Sequence, residues 1–276
     1  MWVCSLWAGT ASAYCRTTTC NPNKYECGTD ANGCNATGAP VSWRALPLTY
    51  RFNSAGSSKL DMDRAFDVIR AAFDTWSNVD CNGKRTSLRF VEAKPFSADK
   101  PMTQGARGSV PFGIYFRDES WPYDKGQDSL ALTNVQFGEI NGYIDYADIE
   151  INTKESTFAL AAGETGFDFQ SVMTHEVGHY IGLAHSSVAD SIMVKSYCEN
   201  PQRCAASKEQ QRALADDDIT AVCALYPASG IAGVRYEEPD KGCSVGAPPS
   251  SSSGPIAIGA GLCVLSVALV RRRRQR

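Results

Sequence analysis

The chain has few histidines, and outside its last residues its acidic side chains outnumber its lysines and arginines. It contains three histidines among 276 residues, and all of them fall between positions 175 and 185. The formal net charge is −3, and without the five arginines within residues 271–276 it would be −8. An acidic body argues against a nucleic-acid partner, so we expect none. No internal repeat is evident, which argues against a repeat architecture.

The three histidines lie in a pattern that predicts a catalytic metal site. The pattern HExxHxxGxxH begins at His175. His179 lies four residues further on, so a helix places both imidazoles on one face, with Glu176 beside them. Gly182 allows the chain to turn off the helix end, which brings His185 back as a third ligand. Three protein nitrogens leave the fourth zinc position open, as in catalytic zinc sites.

The residues after the third histidine narrow this pattern to one family. Ser186 follows that histidine directly, and Met193 ends a Ser-Ile-Met run at the interval where metzincins carry their Met-turn. Residues 217–226 are similar to the start of the matrixin C-terminal helix. The chain therefore resembles a matrixin-like metzincin zinc metalloprotease over residues 43–227.

This resemblance implies an α+β fold with a twisted mixed β-sheet, a long N-terminal helix, an active-site helix, a Met-turn and a C-terminal helix. It also implies one catalytic Zn²⁺ held by His175, His179 and His185. Gly182 and Met193 would support the site structurally. Many matrixins carry a second, structural zinc bound largely by histidine, and this chain has no histidine left for such a site in its usual form.

Glu176 is the expected general base. Zinc lowers the pKa of a bound water from about 15.7 to about 7. Glu176 would accept the proton of that water and deliver it to the leaving amine, while zinc stabilises the oxyanion. The expected function is zinc-dependent endopeptidase activity on protein or peptide substrates. Two alternatives stay open: a catalytically silent zinc-bearing surface binding or adhesion module, and a metallohydrolase acting on a non-peptide bond.

Hydrophobic periodicity predicts the elements of this domain. Apolar residues at helical spacing predict an amphipathic helix over residues 61–79. The predicted strands cover residues 46–53, 87–92, 113–117, 129–137 and 143–152, and residues 169–182 form the ligand-bearing helix. Residues 129–137 match the edge strand that matrixins lay along an extended substrate. Asp145, Asp148 and Glu150 are either calcium ligands or solvated strand positions.

Both ends of the chain have features of exported proteins. Residues 1–13 are apolar and end in an Ala-x-Ala pattern typical of a signal-peptidase site, without a basic region before it. A buried N-terminal strand is the alternative. Residues 255–270 are uncharged and mostly apolar, and arginines follow at once, which predicts a membrane span with the catalytic domain outside. Residues 228–254 form a linker that contains Cys243 in a Gly-Cys motif.

The cysteine motif, the spanning segment and the arginine cluster together resemble the MYXO-CTERM sorting tails of myxobacteria. The resemblance assigns residues 255–276 to the span and an arginine-rich tail. It implies a dedicated sorting protease, with Cys243 as the processing or lipid-attachment point and the product displayed at the cell surface or outer membrane. An uncleaved single-span anchor, in which Cys243 is incidental, is the alternative.

The remaining cysteines fit an oxidising compartment. Eight lie outside the signal, the Gly-Cys motif and the span: Cys15, Cys20, Cys27, Cys34, Cys81, Cys198, Cys204 and Cys223. Eight is an even number, as disulfides require. Cys198 and Cys204 are close enough to pair. Cys81 would then meet Cys223, and the four cysteines of the segment 14–42 would pair among themselves, although the sequence leaves the connectivity open. One early cysteine could instead cap the zinc as a thiolate in a latent form.

Overall fold

A five-stranded sheet with two helices packed on it organises the chain. A computed structural model describes residues 14–21, 25–97, 112–123, 129–195 and 212–231. Its elements in chain order are β1 Leu48–Phe52, α1 Met62–Ser77, β2 Phe90–Glu92, β3 Gly113–Phe116, β4 Ala131–Phe137, β5 Ile144–Ile151, β6 Phe158–Ala159, β7 Phe167–Asp168, α2 Phe169–Tyr180 and α3 Asp216–Leu225. The expected α+β class is confirmed.

The main sheet is mixed, with the strand order β2-β1-β3-β5-β4. The neighbouring strands β2, β1, β3 and β5 run parallel to one another, whereas β4 pairs antiparallel with β5. β4 therefore lies at an edge of the sheet, with the main-chain groups of its outer side directed away from β5. This is the strand predicted at residues 129–137. The short parallel pair β6–β7 leads into α2.

The long helix α1 forms where its apolar residues recur at helical spacing. Asp61 caps its start, because the Asp61 carboxylate accepts a hydrogen bond from the Arg64 N–H. The buried face consists of Ala65, Ile69, Ala72, Phe73 and Trp76. The Trp76 indole Nε1–H donates to the Thr174 carbonyl at 2.8 Å. α1 is thereby joined to the middle of α2.

α2 begins at a capping carboxylate that is itself held by an ion pair. The Asp168 side chain accepts from the Ser171 N–H at 2.9 Å. Arg212 Nη2 lies 2.6 Å from Asp168 Oδ2, and the Asp168 side chain is fully buried. A carboxylate at a helix start also interacts favourably with the helix dipole. The first turn of the ligand-bearing helix is therefore fixed against the chain that precedes α3.

Two of the three acidic residues on β5 are buried, so the expectation of solvated positions is wrong for them. Asp145 is exposed, whereas Asp148 and Glu150 have no exposed surface. Asp148 accepts a hydrogen bond from the first main-chain N–H of β3 at 2.9 Å. Glu150 accepts from Arg117 Nε at 2.6 Å and from Asn134 Nδ2 at 2.9 Å. Buried carboxylates require such partners, and here they come from β3, from β4 and from the chain directly after β3.

Three disulfides confirm part of the expected pairing. They join Cys15 to Cys34, Cys20 to Cys27, and Cys81 to Cys223. The first two lie within the N-terminal segment 14–42, and the third connects the chain after α1 to α3. Cys198 and Cys204 lie outside the described residues.

The predicted export features also lie largely outside the described residues. These features are the signal segment 1–13, the span 255–270 and Cys243. Within the ranges that the structure describes, no helix has both the length and the apolar character needed to cross a bilayer.

Candidate metal centre

The structure brings the three histidines of the sequence pattern together. α2 carries His175 and His179 one turn apart, and His185 returns from the chain beyond the helix. The Nε2 atoms of His179 and His185 are 3.2 Å apart. One ring nitrogen from each histidine lies within 4.8 Å of the other two. Among the described residues, this is the one group of three or more His, Cys, Asp or Glu side chains placed to hold a metal ion.

Main-chain carbonyls orient the two helical imidazoles. His175 Nδ1 lies 2.7 Å from the Ile192 carbonyl oxygen, and His179 Nδ1 lies 2.9 Å from the Leu183 carbonyl oxygen. A neutral imidazole that donates from Nδ1 presents an unprotonated Nε2, which is the form that binds a metal. Both Nε2 atoms are therefore available as ligands.

The protonation state and the spacing of these imidazoles fit zinc. Burial, followed by the proximity of His179, lowers the pKa of His175 well below its usual range. The same two effects, with the charge of Lys195, lower the pKa of His185 to about 4. Zinc binds neutral imidazole. A tetrahedral zinc about 2.0–2.1 Å from each nitrogen would hold them about 3.3 Å apart, close to the separation of the His179 and His185 nitrogens.

Gly182 makes the turn that returns the chain to the site. α2 ends at Tyr180, and Gly182 has a φ of +101°. L side chains rarely adopt this conformation. A Cβ at this position would also lie 2.4 Å from the Val41 carbonyl oxygen, closer than such atoms approach. Both the backbone conformation and the close approach of Val41 therefore require glycine.

Met193 packs against the inner face of α2 through a second glycine. Met193 is 2% exposed. A Cβ at Gly178 would lie 2.2 Å from Met193 Sδ and 3.1 Å from the Trp76 ring. Gly178 is not among the site residues predicted from the sequence. The sequence does contain a sign of its role, because it is a glycine inside a helix. Glycine there lowers helix stability by about 1 kcal/mol relative to alanine, so its presence suggests that close packing excludes a side chain.

Asp218 of α3 holds the turn that contacts His175. Ser191 Oγ donates to Asp218 Oδ1 at 2.5 Å, and the Ile192 N–H donates to Asp218 Oδ2 at 2.9 Å. The carbonyl of that same Ile192 is the partner of His175 Nδ1. Asp218 is buried, and burial raises its pKa. A continuous set of hydrogen bonds therefore joins α3 to His175, the first histidine of the group.

Glu176 is buried beside the histidines and contacts the edge strand. Its exposed fraction is 6%, and burial raises its pKa, while the nearby His179 and the hydrogen bond from Thr133 act in the opposite direction. The Thr133 hydroxyl on β4 lies 2.5 Å from Glu176 Oε2 and 3.0 Å from the Glu176 carbonyl oxygen. Thr133 is a second site residue absent from the sequence prediction. Strand periodicity places it on one face with Ala131, but not opposite this carboxylate.

Comparisons with known proteins agree with the geometry. A family model described as matrixin matches residues 42–227. The chain is 28% identical to matrix metalloproteinase-C of Caenorhabditis elegans, over 71% of this chain and 32% of that protein. It is 32% identical to interstitial collagenase of Bos taurus, over 68% and 33%. It is 28% identical to metalloendoproteinase 1-MMP of Arabidopsis thaliana, over 67% and 44%. The match thus spans about a third to less than half of each relative.

The contact between Gly178 and Met193 can be tested with Gly178→Ala, because helix propensity and packing change the stability of this variant in opposite directions. Helix propensity alone would make Gly178→Ala stabilising by about 1 kcal/mol. We expect instead a destabilisation of about 1–3 kcal/mol, because the added methyl group overpacks the space that Met193 fills. Urea unfolding of the protein and its variants measures this difference.

A double variant separates the contact from other effects. Met193→Ala should also destabilise the fold, but Gly178→Ala should cost less in its presence, because the two closest contacts of the added methyl group are then gone and only the Trp76 ring at 3.1 Å remains. Additive losses in the double variant would show that the Gly178–Met193 contact is not what excludes alanine.

Proposed function

The chain belongs to the matrixin family, and on this premise we propose that it is a zinc-dependent endopeptidase that hydrolyses peptide bonds in protein or peptide substrates. The observation that carries the proposal is the placement of Glu176 beside three converging imidazoles and next to an edge strand. Each part alone occurs in proteins without catalysis. Together they supply metal ligands, a proton acceptor and a surface for an extended chain.

The protein side chains have separate roles in this proposal. His175, His179 and His185 would hold the zinc. When bound, zinc supplies a Lewis acid that brings the pKa of a coordinated water near 7. Glu176 accepts a proton from the attacking water and passes it to the leaving amine. Burial raises the pKa of the Glu176 carboxyl, and a group that accepts a proton and later donates it works best with a pKa near the operating pH.

The edge strand favours a peptide substrate over a non-peptide bond. β4 forms one edge of the sheet, and among the described residues its strand partner is β5. An extended peptide can add to such an edge through main-chain hydrogen bonds, without special side chains. Thr133 on this strand touches Glu176, so a peptide paired with β4 would run next to the general base.

The silent binding module remains the alternative function. It would keep the three imidazoles and bind zinc, yet cleave nothing. The buried carboxylate of Glu176 favours the enzyme. Burying a carboxylate costs folding free energy, and a module that only binds zinc does not need one beside its ligands.

The test of this proposal is the Glu176→Gln variant of the full chain. Glutamine keeps the size of the side chain but cannot accept the proton, so we expect kcat/KM on a peptide library to fall about 10³-fold. Zinc content should be unchanged, because Glu176 is not a ligand. Removing zinc with a chelator should stop cleavage by the wild type, and added zinc should restore it.

Glu119→Gln is the matched control, since Glu119 is exposed. It should cleave as the wild type does. Undiminished cleavage by Glu176→Gln would refute the assigned mechanism. A zinc-loaded wild type that cleaves no member of the library would favour the silent binding module.

Thr133 is proposed as a positioning residue for Glu176. Thr133→Val keeps the shape of the side chain but loses the hydrogen bond. Hydrogen bonds to charged groups contribute about 1.5–3 kcal/mol, so we expect kcat to fall about tenfold or more while KM changes little. Thr133→Ser keeps the hydroxyl group and should recover most of kcat. Equal losses in the valine and serine variants would mean that packing, not the hydrogen bond, matters at this position.

We also propose that the protein is exported and held at the cell surface. Residues 1–13 would act as the signal segment, and residues 255–276 would form the sorting tail with Cys243 as its processing or attachment point. The three disulfides support an oxidising compartment.

Fractionation of cells expressing the full chain tests the role of the tail. Cys243→Ala should leave the protein in the inner-membrane fraction with an unprocessed tail, whereas the wild type should reach the surface with a shorter one. Indistinguishable fractionation and mass of the two proteins would favour the uncleaved single-span anchor.

A further inference from the structure

The disulfide-bonded N-terminal segment packs against the chain that carries the third histidine. Its residues 15–17, here called the strap, pair antiparallel with residues 182–184. The Thr17 N–H donates to the Gly182 carbonyl at 3.0 Å, and the Ala184 N–H donates to the Cys15 carbonyl at 3.0 Å. Between these two hydrogen bonds, Arg16 pairs with Leu183 as a β-bridge. The strap thus fixes the backbone immediately before His185.

The strap is also held on its other side. The Val41 N–H donates to the Thr17 carbonyl at 2.7 Å, and the Thr19 N–H donates to the Ala39 carbonyl at 2.9 Å. The strap therefore lies between the chain at residues 39–41 and the chain at residues 182–184. Val41 is the residue whose carbonyl excludes a side chain at position 182. The turn after α2 is enclosed by the N-terminal segment.

The backbone that the strap fixes serves two of the three histidines. The Leu183 carbonyl, opposite Arg16 of the strap, is the partner of His179 Nδ1. His185 follows Ala184 directly, so the hydrogen bond from the Ala184 N–H to the Cys15 carbonyl fixes the backbone position from which His185 extends. Groups that hydrogen-bond a metal-binding histidine from outside commonly contribute about 10- to 100-fold to metal affinity.

The Cys15–Cys34 disulfide anchors the strap to the far side of the same loop. Both cysteines are buried. Cys34 lies in a turn that Asp30 closes by accepting from the Cys34 N–H at 3.0 Å. In the same turn the Asn32 carbonyl accepts from Ser187 Oγ at 3.3 Å. The disulfide thus connects contacts that flank His185, at Ala184 on one side and Ser187 on the other.

We propose that the strap, held in place by the Cys15–Cys34 disulfide, positions His179 and His185, so that the affinity for zinc depends on this disulfide. A three-residue pairing with two hydrogen bonds does not compensate for the conformational entropy lost when these residues are ordered. A disulfide closing a loop of this length offsets roughly 3 kcal/mol of that entropy. The proposal rests on the proposed zinc site, and it adds the N-terminal segment to the metal centre.

The second disulfide of the segment offers a matched control. Cys20–Cys27 spans seven residues of the same segment. Its contact is with a different part of the chain, because the Cys20 main-chain nitrogen lies against Gly38. Its removal changes the same chemistry in the same segment without touching the strap or residues 182–187.

The experiment compares the zinc affinity of two double variants of the full chain. Cys15→Ser with Cys34→Ser should weaken zinc binding about 10- to 100-fold, measured by competition with a chromogenic chelator. Cys20→Ser with Cys27→Ser should bind zinc within about threefold of the wild type, on the same scale. Circular dichroism and thermal unfolding of both metal-free variants report whether the fold persists.

A second pair of variants keeps both disulfides, should the first double variant fail to fold. Thr17→Pro removes the N–H that donates to Gly182, and Thr19→Pro removes the N–H that donates to Ala39. Thr17→Pro should weaken zinc binding clearly more than Thr19→Pro.

The outcomes separate this inference from the proposed function. A wild-type protein that binds no zinc overturns the zinc site, and the strap's role with it. A wild type that binds zinc no more tightly than the Cys15/Cys34 and Thr17 variants overturns only the strap. Equal weakening in the two cysteine double variants also overturns it, because disulfides would then act through general stability.

Discussion

The metal centre depends on one sharp reversal of the chain at Gly182. A helix can present two imidazoles to one ion, but the third must come from beyond its end, because six residues separate His179 from His185. The reversal needs a positive φ, and it passes so close to the Val41 carbonyl that no side chain fits. The same turn places the Leu183 carbonyl on His179 Nδ1. The same turn thus brings His185 to the other two histidines and orients His179.

Supports from distant parts of the sequence converge on this site. The strap holds the turn from the N-terminal side. Asp218 in α3 holds the Ser191–Ile192 backbone, and Ile192 holds His175. β4 contributes the Thr133 hydroxyl to Glu176. The three histidines and Glu176 are therefore fixed by groups whose own positions depend on the completed fold, which is how a preorganised site avoids reordering when it binds or reacts.

The features predicted from the sequence are those that depend on local spacing. The histidine pattern, the turn at Gly182 and the helix around residues 61–79 all follow from the periodicity of a few consecutive turns. The structure ends that helix at Ser77 and the ligand-bearing helix at Tyr180, within the usual uncertainty of element ends. Such features need no knowledge of which segments meet.

The features that could not be predicted depend on contacts between distant segments. Gly178 is explained only by Met193, and Thr133 only by Glu176 on another element. The burial of Glu150 depends on partners from a neighbouring strand and from the chain after β3. The alternation of side chains along a strand assigns each residue to one face of the sheet, but it does not predict which segment packs on that face. The strap likewise depends on a pairing between residues more than 160 positions apart, which no local pattern predicts.

This dependence on distant contacts constrains how zinc binding and folding are coupled. An isolated fragment containing α2 and the turn would hold all three histidines, but neither the strap nor Asp218. Its imidazoles would have to be ordered by the ion itself, and that entropy would be subtracted from the binding free energy. In the whole chain, the strap and α3 would order the imidazoles in the metal-free protein, so that this entropy would not be subtracted from the proposed zinc binding. With the proposed zinc binding, the ion would stabilise a site that already exists, by an amount that grows with the logarithm of its free concentration above the dissociation constant, and would not create the fold around itself.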